Sequence, residues 1–400
     1  MVTDIETNKL YFSSLIKAEK YAPLWYELER ILSRYGYKPS FIEGTRDIWC
    51  RDYMPVQIDE NKFSQFKYFP DYCVDHKHIK LLTIQEEMQY KQPRKAQIRQ
   101  IDLIVDGGNI VKSKNKAIMT EKVFAENKNR EKESIIEMLK KALNVDFIFF
   151  IPAQPYDYTG HADGMVRFFD ENTLLVNDNS RESDSWQKKL AIALKQTGMN
   201  IIQFPYVASD EKIDGDYTAK GCYINYAQIG NLILFPQFGI NEDSFALKRI
   251  MELYPEPKYH VEPINSNIIA NEGGVLNCIT WNIYDSINNN AIDEILPVYG
   301  DGNRIFVIYK GDYGVDMNDT VCVPISISSS EVGDPWSLQK HLKFSHAIEP
   351  IVSETDIIKV KNLLSKNLSN EQLSDILESL LNPGKKVIEE LIEVPARLKS

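Results

Sequence analysis

The sequence predicts a mixed α/β fold in which β-hairpins are interleaved with helices, followed by a separate small module. Three observations lead there. A hydrophobic content of 43% over 400 residues is ample for a large core. Strand-period and helix-period runs alternate in a recurring strand–strand–helix–strand rhythm. After about residue 290 the character of the chain changes. The alternation fits neither an unbroken parallel βαβ series nor an all-β barrel.

Residues 24–33 read as an amphipathic helix, because Leu24, Leu28, Ile31 and Leu32 fall at helical spacing. Residues 80–95 are polar and read as a helix that Pro93 ends. Residues 101–105 form a strand running into the turn Asp106-Gly107-Gly108-Asn109. A helix over 131–143 precedes a buried strand over 145–151, stopped by Pro152. Strands at 164–169 and 173–177 make a hairpin after a turn around Gly160. A helix (185–197) and a strand (200–204) follow. The rhythm returns with strands at 221–227 and 231–235, a helix at 243–253 and a strand at 259–263. Later, 305–309 and 321–327 are strand-like, and short helices follow from Pro335. Ser369-Asn370-Glu371-Gln372 has the form of a capping box ahead of Leu373, Ile376 and Leu380, with Asn382-Pro383-Gly384 as the stop. The division expected is a main domain over 1–290 and an accessory α+β module over 291–400.

The formal net charge is −11, which argues against nucleic acid as a partner and is compatible with a cationic substrate. The five cysteines are widely spaced and include no CxxC pair, so neither a zinc site nor a disulfide framework is expected. Free thiols suit a reducing compartment, here the cytoplasm. The acidic start lacks the pattern of a signal peptide, and no apolar run approaches the ~18 residues of a membrane span. An assembly of like chains is compatible with the sequence, which does not specify one.

Four local sequences carry chemistry: Asp47-Ile48-Trp49-Cys50-Arg51-Asp52, Asp106-Gly107-Gly108-Asn109, Gly160-His161-Ala162-Asp163 and Asn271-Glu272-Gly273-Gly274-Val275-Leu276-Asn277-Cys278. Each has a plain structural reading. Cys278 could be core, His161 with Asp163 a turn pair, Arg51 with Asp52 a surface ion pair, and the second segment a tight turn. Trp49 could be core or could lie against the alkyl stem of a substrate. Their combination is more specific. A cysteine can attack an electrophilic carbon as its thiolate. Two carboxylates can hold a guanidinium through its N–H groups. A histidine, placed with Asp163 on one face if 161–163 is strand, can move protons. This chemistry needs no metal and no cofactor.

These segments resemble the guanidine-modifying enzymes of the pentein fold, in the branch of agmatine deiminases and bacterial peptidylarginine deiminases. The resemblance rests on Trp49-Cys50-Arg51-Asp52-Tyr53-Met54-Pro55, the Gly-Gly turn after Asp106, Gly160-His161-Ala162-Asp163 with Arg167-Phe168 beyond, Cys222-Tyr223-Ile224-Asn225-Tyr226, Phe235-Pro236-Gln237-Phe238-Gly239 and Glu272-Gly273-Gly274-Val275-Leu276-Asn277-Cys278-Ile279-Thr280, in the family's order. It implies a propeller of five ββαβ-like units around a pseudo-fivefold axis. It implies Cys278 as nucleophile, His161 as acid–base group, and Asp52 and Asp163 as the guanidinium clamp. Trp49, Asp106, Asn109, Arg167, Gly274 and Asn277 would line or shape the pocket. The implied reaction is hydrolysis of agmatine to N-carbamoylputrescine and ammonia, a step toward putrescine and polyamines. Peptidyl-arginine or arginine deimination stands next, and an amidinotransferase or a non-catalytic pentein after that. Met54 stands where the family usually has Gly, and Asn277 where it usually has His. Arg167 would favour a substrate carboxylate if it lined the pocket, or would pair with a structural acid outside it.

Overall fold

The computed structural model describes residues 1–73, 79–93, 96–209, 211–213 and 215–285, together with short strand backbones after residue 293. The chain divides into two compact units, Met1–Ser286 and Ile287–Ser400.

Besides a two-stranded ribbon, Lys212–Ile213 with Asp216–Tyr217, the first unit contains five sheets that repeat one connection. In each, an antiparallel hairpin is extended by a third strand parallel to its second. The repeat is clearest where Val166–Asp170 and Thr173–Asn177 pair antiparallel, and Asn200–Phe204 then joins Thr173–Asn177 in parallel after the helix Asp184–Gln196. Val56–Asp59, Lys62–Lys67 and Gln97–Ile104 form another such sheet, as do Val111–Lys112, Lys116–Thr120 and Phe147–Ile151. Ala227–Ile229, Leu232–Gln237 and His260–Asn265 form a fourth.

The fifth sheet takes strands from both ends of the unit. Trp281–Ile283 pairs antiparallel with Lys9–Ser13, and Lys9–Ser13 pairs parallel with Ser40–Glu43. The circle is therefore closed by a ladder between residues some 270 apart in sequence (Lys9 opposite Ile283), giving a five-bladed α/β propeller of the pentein type.

The crossover helices have the apolar stripe such a position requires. Ala22–Arg34 starts with proline in its first turn and buries Leu24, Leu28, Ile31 and Leu32. Each such fully buried side chain stabilises by about 1.5–3 kcal/mol relative to exposure. Lys132–Leu143 ends at Asn144, whose left-handed backbone (φ 53°) an asparagine tolerates. Thr173–Asn177, flanked on both sides, is buried along its whole length.

Three sequence expectations are corrected. Residues 80–95 are not a helix: the described part holds 3₁₀ turns at Ile79–Leu81 and Gln85–Glu87 and the short strand Gln89–Tyr90. Polar composition there lacked an apolar stripe to bury, and Gln89–Tyr90 joins the fifth sheet instead, against Ser40–Glu43. Residues 161–163 are not strand either: Ala162–Gly164 is a 3₁₀ turn and the strand begins at Val166. Residues 221–226 precede their strand, which starts at Ala227, because the segment turns back on itself, with the Cys222 N–H donating to the Ala219 carbonyl.

In the second unit, Arg304–Lys310 and Thr320–Ser326 pair antiparallel, matching the two strand-like runs read in the sequence. Glu294–Ile295, Tyr299–Gly300 and Trp336–Ser337 add short edges. The capping box at Ser369 and the helices expected around it lie outside the described residues.

Candidate active site

Each blade places one short segment immediately before its first hairpin strand, and these segments meet. The short helix Cys50–Tyr53 precedes Val56–Asp59, the turn Gly107–Asn109 precedes Val111–Lys112, and Ala162–Gly164 precedes Val166–Asp170. Asn225 precedes Ala227–Ile229, and Cys278 precedes Trp281–Ile283.

Hydrogen bonds join the five segments into a ring. The Gly108 N–H donates to Asp52 Oδ1 (2.9 Å), and Asp106 Oδ2 faces His161 Nε2 (2.9 Å). Asn225 Nδ2 donates to the Asp163 carbonyl (3.4 Å), the Asn277 N–H donates to the Asn225 carbonyl (3.1 Å), and the Arg51 N–H donates to the Cys278 carbonyl (3.1 Å). Close approach fixes two glycines. A Cβ on Gly108 would stand 2.6 Å from His161 Nδ1 and 2.7 Å from Asp52 Oδ1; one on Gly274 would stand 2.3 Å from Trp49 Cζ3.

Cys278 Sγ lies 4.0 Å from Asp163 Oδ2 and 3.3 Å from Asn225 Oδ1. Asn277 Nδ2 donates to the same Asp163 oxygen at 2.7 Å. Asp52 Oδ1 is 3.6 Å from His161 Nδ1, so both imidazole nitrogens face carboxylates. Asp52, Asp106, His161 and Asp163 are all under a tenth exposed.

The electrostatics follow from that crowding. Burial of the imidazole opposes its protonation, but Asp52 and the hydrogen-bonded Asp106 outweigh it and raise the His161 pKa to about 9. Burial raises Asp52, offset by His161 and reinforced by Asp106 and Asp163. Burial also raises Asp163, against the pull of His161 and the Asn277 amide. The Cys278 thiol is pushed well up by burial and then by Asp163 and Asp52. The resting cluster therefore holds an imidazolium and a neutral thiol, beside carboxylates that a bound cation would relieve.

Four of the residues singled out in the sequence, Cys278, His161, Asp52 and Asp163, come together with Asp106 and Asn277. Trp49 is half-buried and packs on Gly274 beside the main core. Two expectations are corrected. Asn109 is 1% exposed and its Oδ1 accepts the Thr120 N–H at 2.8 Å, so it braces the blade rather than facing a ligand. Arg167 donates to Asp4 Oδ2 and to the Tyr226 carbonyl, both at 2.6 Å, with its guanidinium 3.9 Å from the Tyr226 ring. Arg167 is thus paired with the acid Asp4. Arg51 does not pair with Asp52; it donates to Asn277 Oδ1 (3.2 Å) and Asn282 Oδ1 (2.8 Å).

Sequence reasoning gave no role to Asn225 or Lys122. Asn225 could have been found by asking what each blade contributes at the same place. Lys122 Nζ sits 3.5 Å from Asp106 Oδ2 and 3.3 Å from Glu126 Oε1, and donates to the Thr159 carbonyl at 2.7 Å. It braces the carboxylate that orients His161.

The fold has known counterparts. Agmatine deiminase of C. jejuni superposes with a TM-score of 0.57 at 17% identity, covering 71% of this chain and 95% of that one. Agmatine deiminase of Enterococcus faecalis gives 0.54 at 15%, covering 71% and 95%. A curated relative from Listeria monocytogenes, provisionally named an agmatine deiminase, is 24% identical over 226 residues, 48% of this chain and 60% of the relative. One from Mycoplasma mycoides, named in the same way, is 23% identical over 209 residues, 45% and 57% respectively. The chain thus spans somewhat more than half the length of the curated relatives it matches. Residues 26–283, which hold every segment of the ring, match the family of Porphyromonas-type peptidyl-arginine deiminases, and the chain belongs to that family.

Proposed function

We propose that the chain is a cysteine-dependent hydrolase that removes ammonia from a guanidinium group, with agmatine as the preferred substrate. The observation that carries this reading is the convergence of Cys278 Sγ, Asp163, Asp52 and the His161–Asp106 pair from separate blades around one point.

A planar cation between Asp163 and Asp52 would be held through its N–H groups and would offset their charge. The same charge favours the thiolate, so thiol ionisation follows substrate binding. The thiolate forms an S–C bond to the guanidinium carbon. The His161 imidazolium gives its proton to one amino group, which leaves as ammonia, and a thiouronium remains on Cys278. His161, now neutral, takes a proton from water. The hydroxide adds to the carbon and the S–C bond breaks, releasing a ureido product and the thiolate. Guanidinium and water thus become a urea and ammonium.

Agmatine is favoured over arginine because Arg167, the side chain that could have received a carboxylate, is engaged by Asp4 and the Tyr226 carbonyl. Ammonia release from agmatine, arginine and an arginine-containing peptide tests the reading, with Cys278→Ala as control. Turnover of agmatine that the control lacks is expected. Turnover of arginine or the peptide alone would move the assignment to a citrulline-forming deiminase. Ammonia release only in the presence of an amine acceptor, or none at all, would overturn it.

A further inference from the structure

Asp163 and Asn277 have a second side. Both also line a cavity of about 360 Å³ that Cys278, His161, Asp52 and Asp106 do not line. That volume falls within the range of small-molecule sites, roughly 300–1,000 Å³. Phe168, Tyr254 and Tyr259 supply apolar wall, and five cationic residues line it, Arg51, Lys112 and Arg167 with Lys114 and Lys258.

Five cations there face four acids, Asp4, Asp163, Asp170 and Glu171. Asp4 is committed to Arg167 (2.6 Å) and to the Asn282 amide (3.0 Å). Asp163 accepts from Asn277 on the other side. At the edge, Glu171 accepts from the Lys114 N–H (3.2 Å) and Asp170 from the Asn172 N–H (2.7 Å). Arg51 reaches only neutral oxygens, those of Asn277 and Asn282. Lys112, on the hairpin strand Val111–Lys112, makes no hydrogen bond and no ion pair among the described residues. Burial lowers its pKa to about 8, with Asp4 and Glu6 acting against it and Arg51 and Arg167 with it. Lys112 is half-buried, and a cation partly withdrawn from water gains from an anionic partner.

We propose that this cavity binds a small organic anion, its carboxylate or phosphate group held by Lys112 and Arg51 and its body against Tyr254 and Phe168. An oxyanion there would supply the acceptor that Lys112 lacks and would share Arg51 with the two asparagines. The site lies on the chain's own walls and does not depend on the chemistry proposed at Cys278.

Calorimetric titration of the full chain with inorganic phosphate and, separately, with acetate tests this. At least one probe is expected to saturate at one per chain and to raise the melting temperature. Lys112→Met is expected to weaken that binding at least tenfold, and Lys112→Arg to retain most of it. Saturation by phosphate alone assigns a phosphate ester, and by acetate alone a carboxylate. If Lys112→Met does not fold, Tyr254→Leu, which trims the apolar wall and keeps the cations, should retain binding of the small probe and lose any preference for benzoate over acetate. Failure of both probes to saturate, or unchanged affinity in folded Lys112→Met, would overturn the proposal.

Discussion

The two sides of the Asp163–Asn277 pair carry opposite charge. Facing Cys278, the buried groups are Asp52, Asp106 and Asp163 around one imidazolium. On the other side Arg51, Lys112, Lys114, Arg167 and Lys258 stand with Asp4, Asp170 and Glu171. The acidic side suits a cation and the basic side an anion. The two residues common to both sides are joined by a hydrogen bond of 2.7 Å, from Asn277 Nδ2 to Asp163 Oδ2, and Arg51 donates to the Asn277 carbonyl oxygens. Charge around these two residues is thus set residue by residue, by which neighbours each side chain meets.

The hardest test of the acidic side is the proposed nucleophile, Cys278. Cys278→Ser should lower turnover on the order of a thousand-fold or more while the circular dichroism melt stays put. Near-normal ammonia release would end the assignment of Cys278.

Asp163→Asn should reduce kcat/KM by roughly a hundred-fold, with KM raised and kcat lowered together, because the carboxylate holds the cation in ground and transition states alike. Steady-state kinetics giving an unchanged kcat would confine Asp163 to binding.

On the basic side, Arg167→Met removes two charge-assisted hydrogen bonds and should cost about 1.5–3 kcal/mol in urea unfolding. The preference between agmatine and arginine should not move. A switch in that preference would put Arg167 back in the substrate pocket.

The smallest effect expected is in pH dependence. With the His161 pKa at about 9, kcat/KM should fall as pH rises through that value, and Asp106→Asn should bring the falling limb down toward the ordinary histidine range. The same shift acts on stability. A folded-state pKa raised from 6.5 gives stability that is fully present below 6.5 and lost as pH rises through about 9. Unfolding measured across that window should be flatter in His161→Gln than in the unmutated chain. Equal slopes would mean that the imidazole is neutral when folded.

The sequence made the site's chemistry legible where it depends on residue type and near neighbours. Cys278 after paired glycines, His161 with Asp163, and Asp52 after Arg51 were each readable in place. Their meeting was not. The contacts joining them span 55 residues between His161 and Asp106, 115 between Cys278 and Asp163 and 226 between Arg51 and Asn277. The premise that put His161 and Asp163 on one strand face was wrong, since the segment is a 3₁₀ turn, yet the two still serve one site. Tertiary packing around Gly108 brings them there, not the strand period.

What the sequence determined by itself was local: the apolar stripe of Ala22–Arg34, the buried strand Thr173–Asn177 and the segments that carry reactive groups. Those depend on hydrophobic period and turn chemistry, which act over a few residues. Only the tertiary structure decided that Trp281–Ile283 closes on Lys9–Ser13, that Asn225 touches the thiol, that Arg167 pairs with Asp4, and that Lys112 stands without a partner among the described residues. Each outcome is a choice among chain-distant partners. That choice is set by which surfaces can be packed and which charges can be neutralised at once.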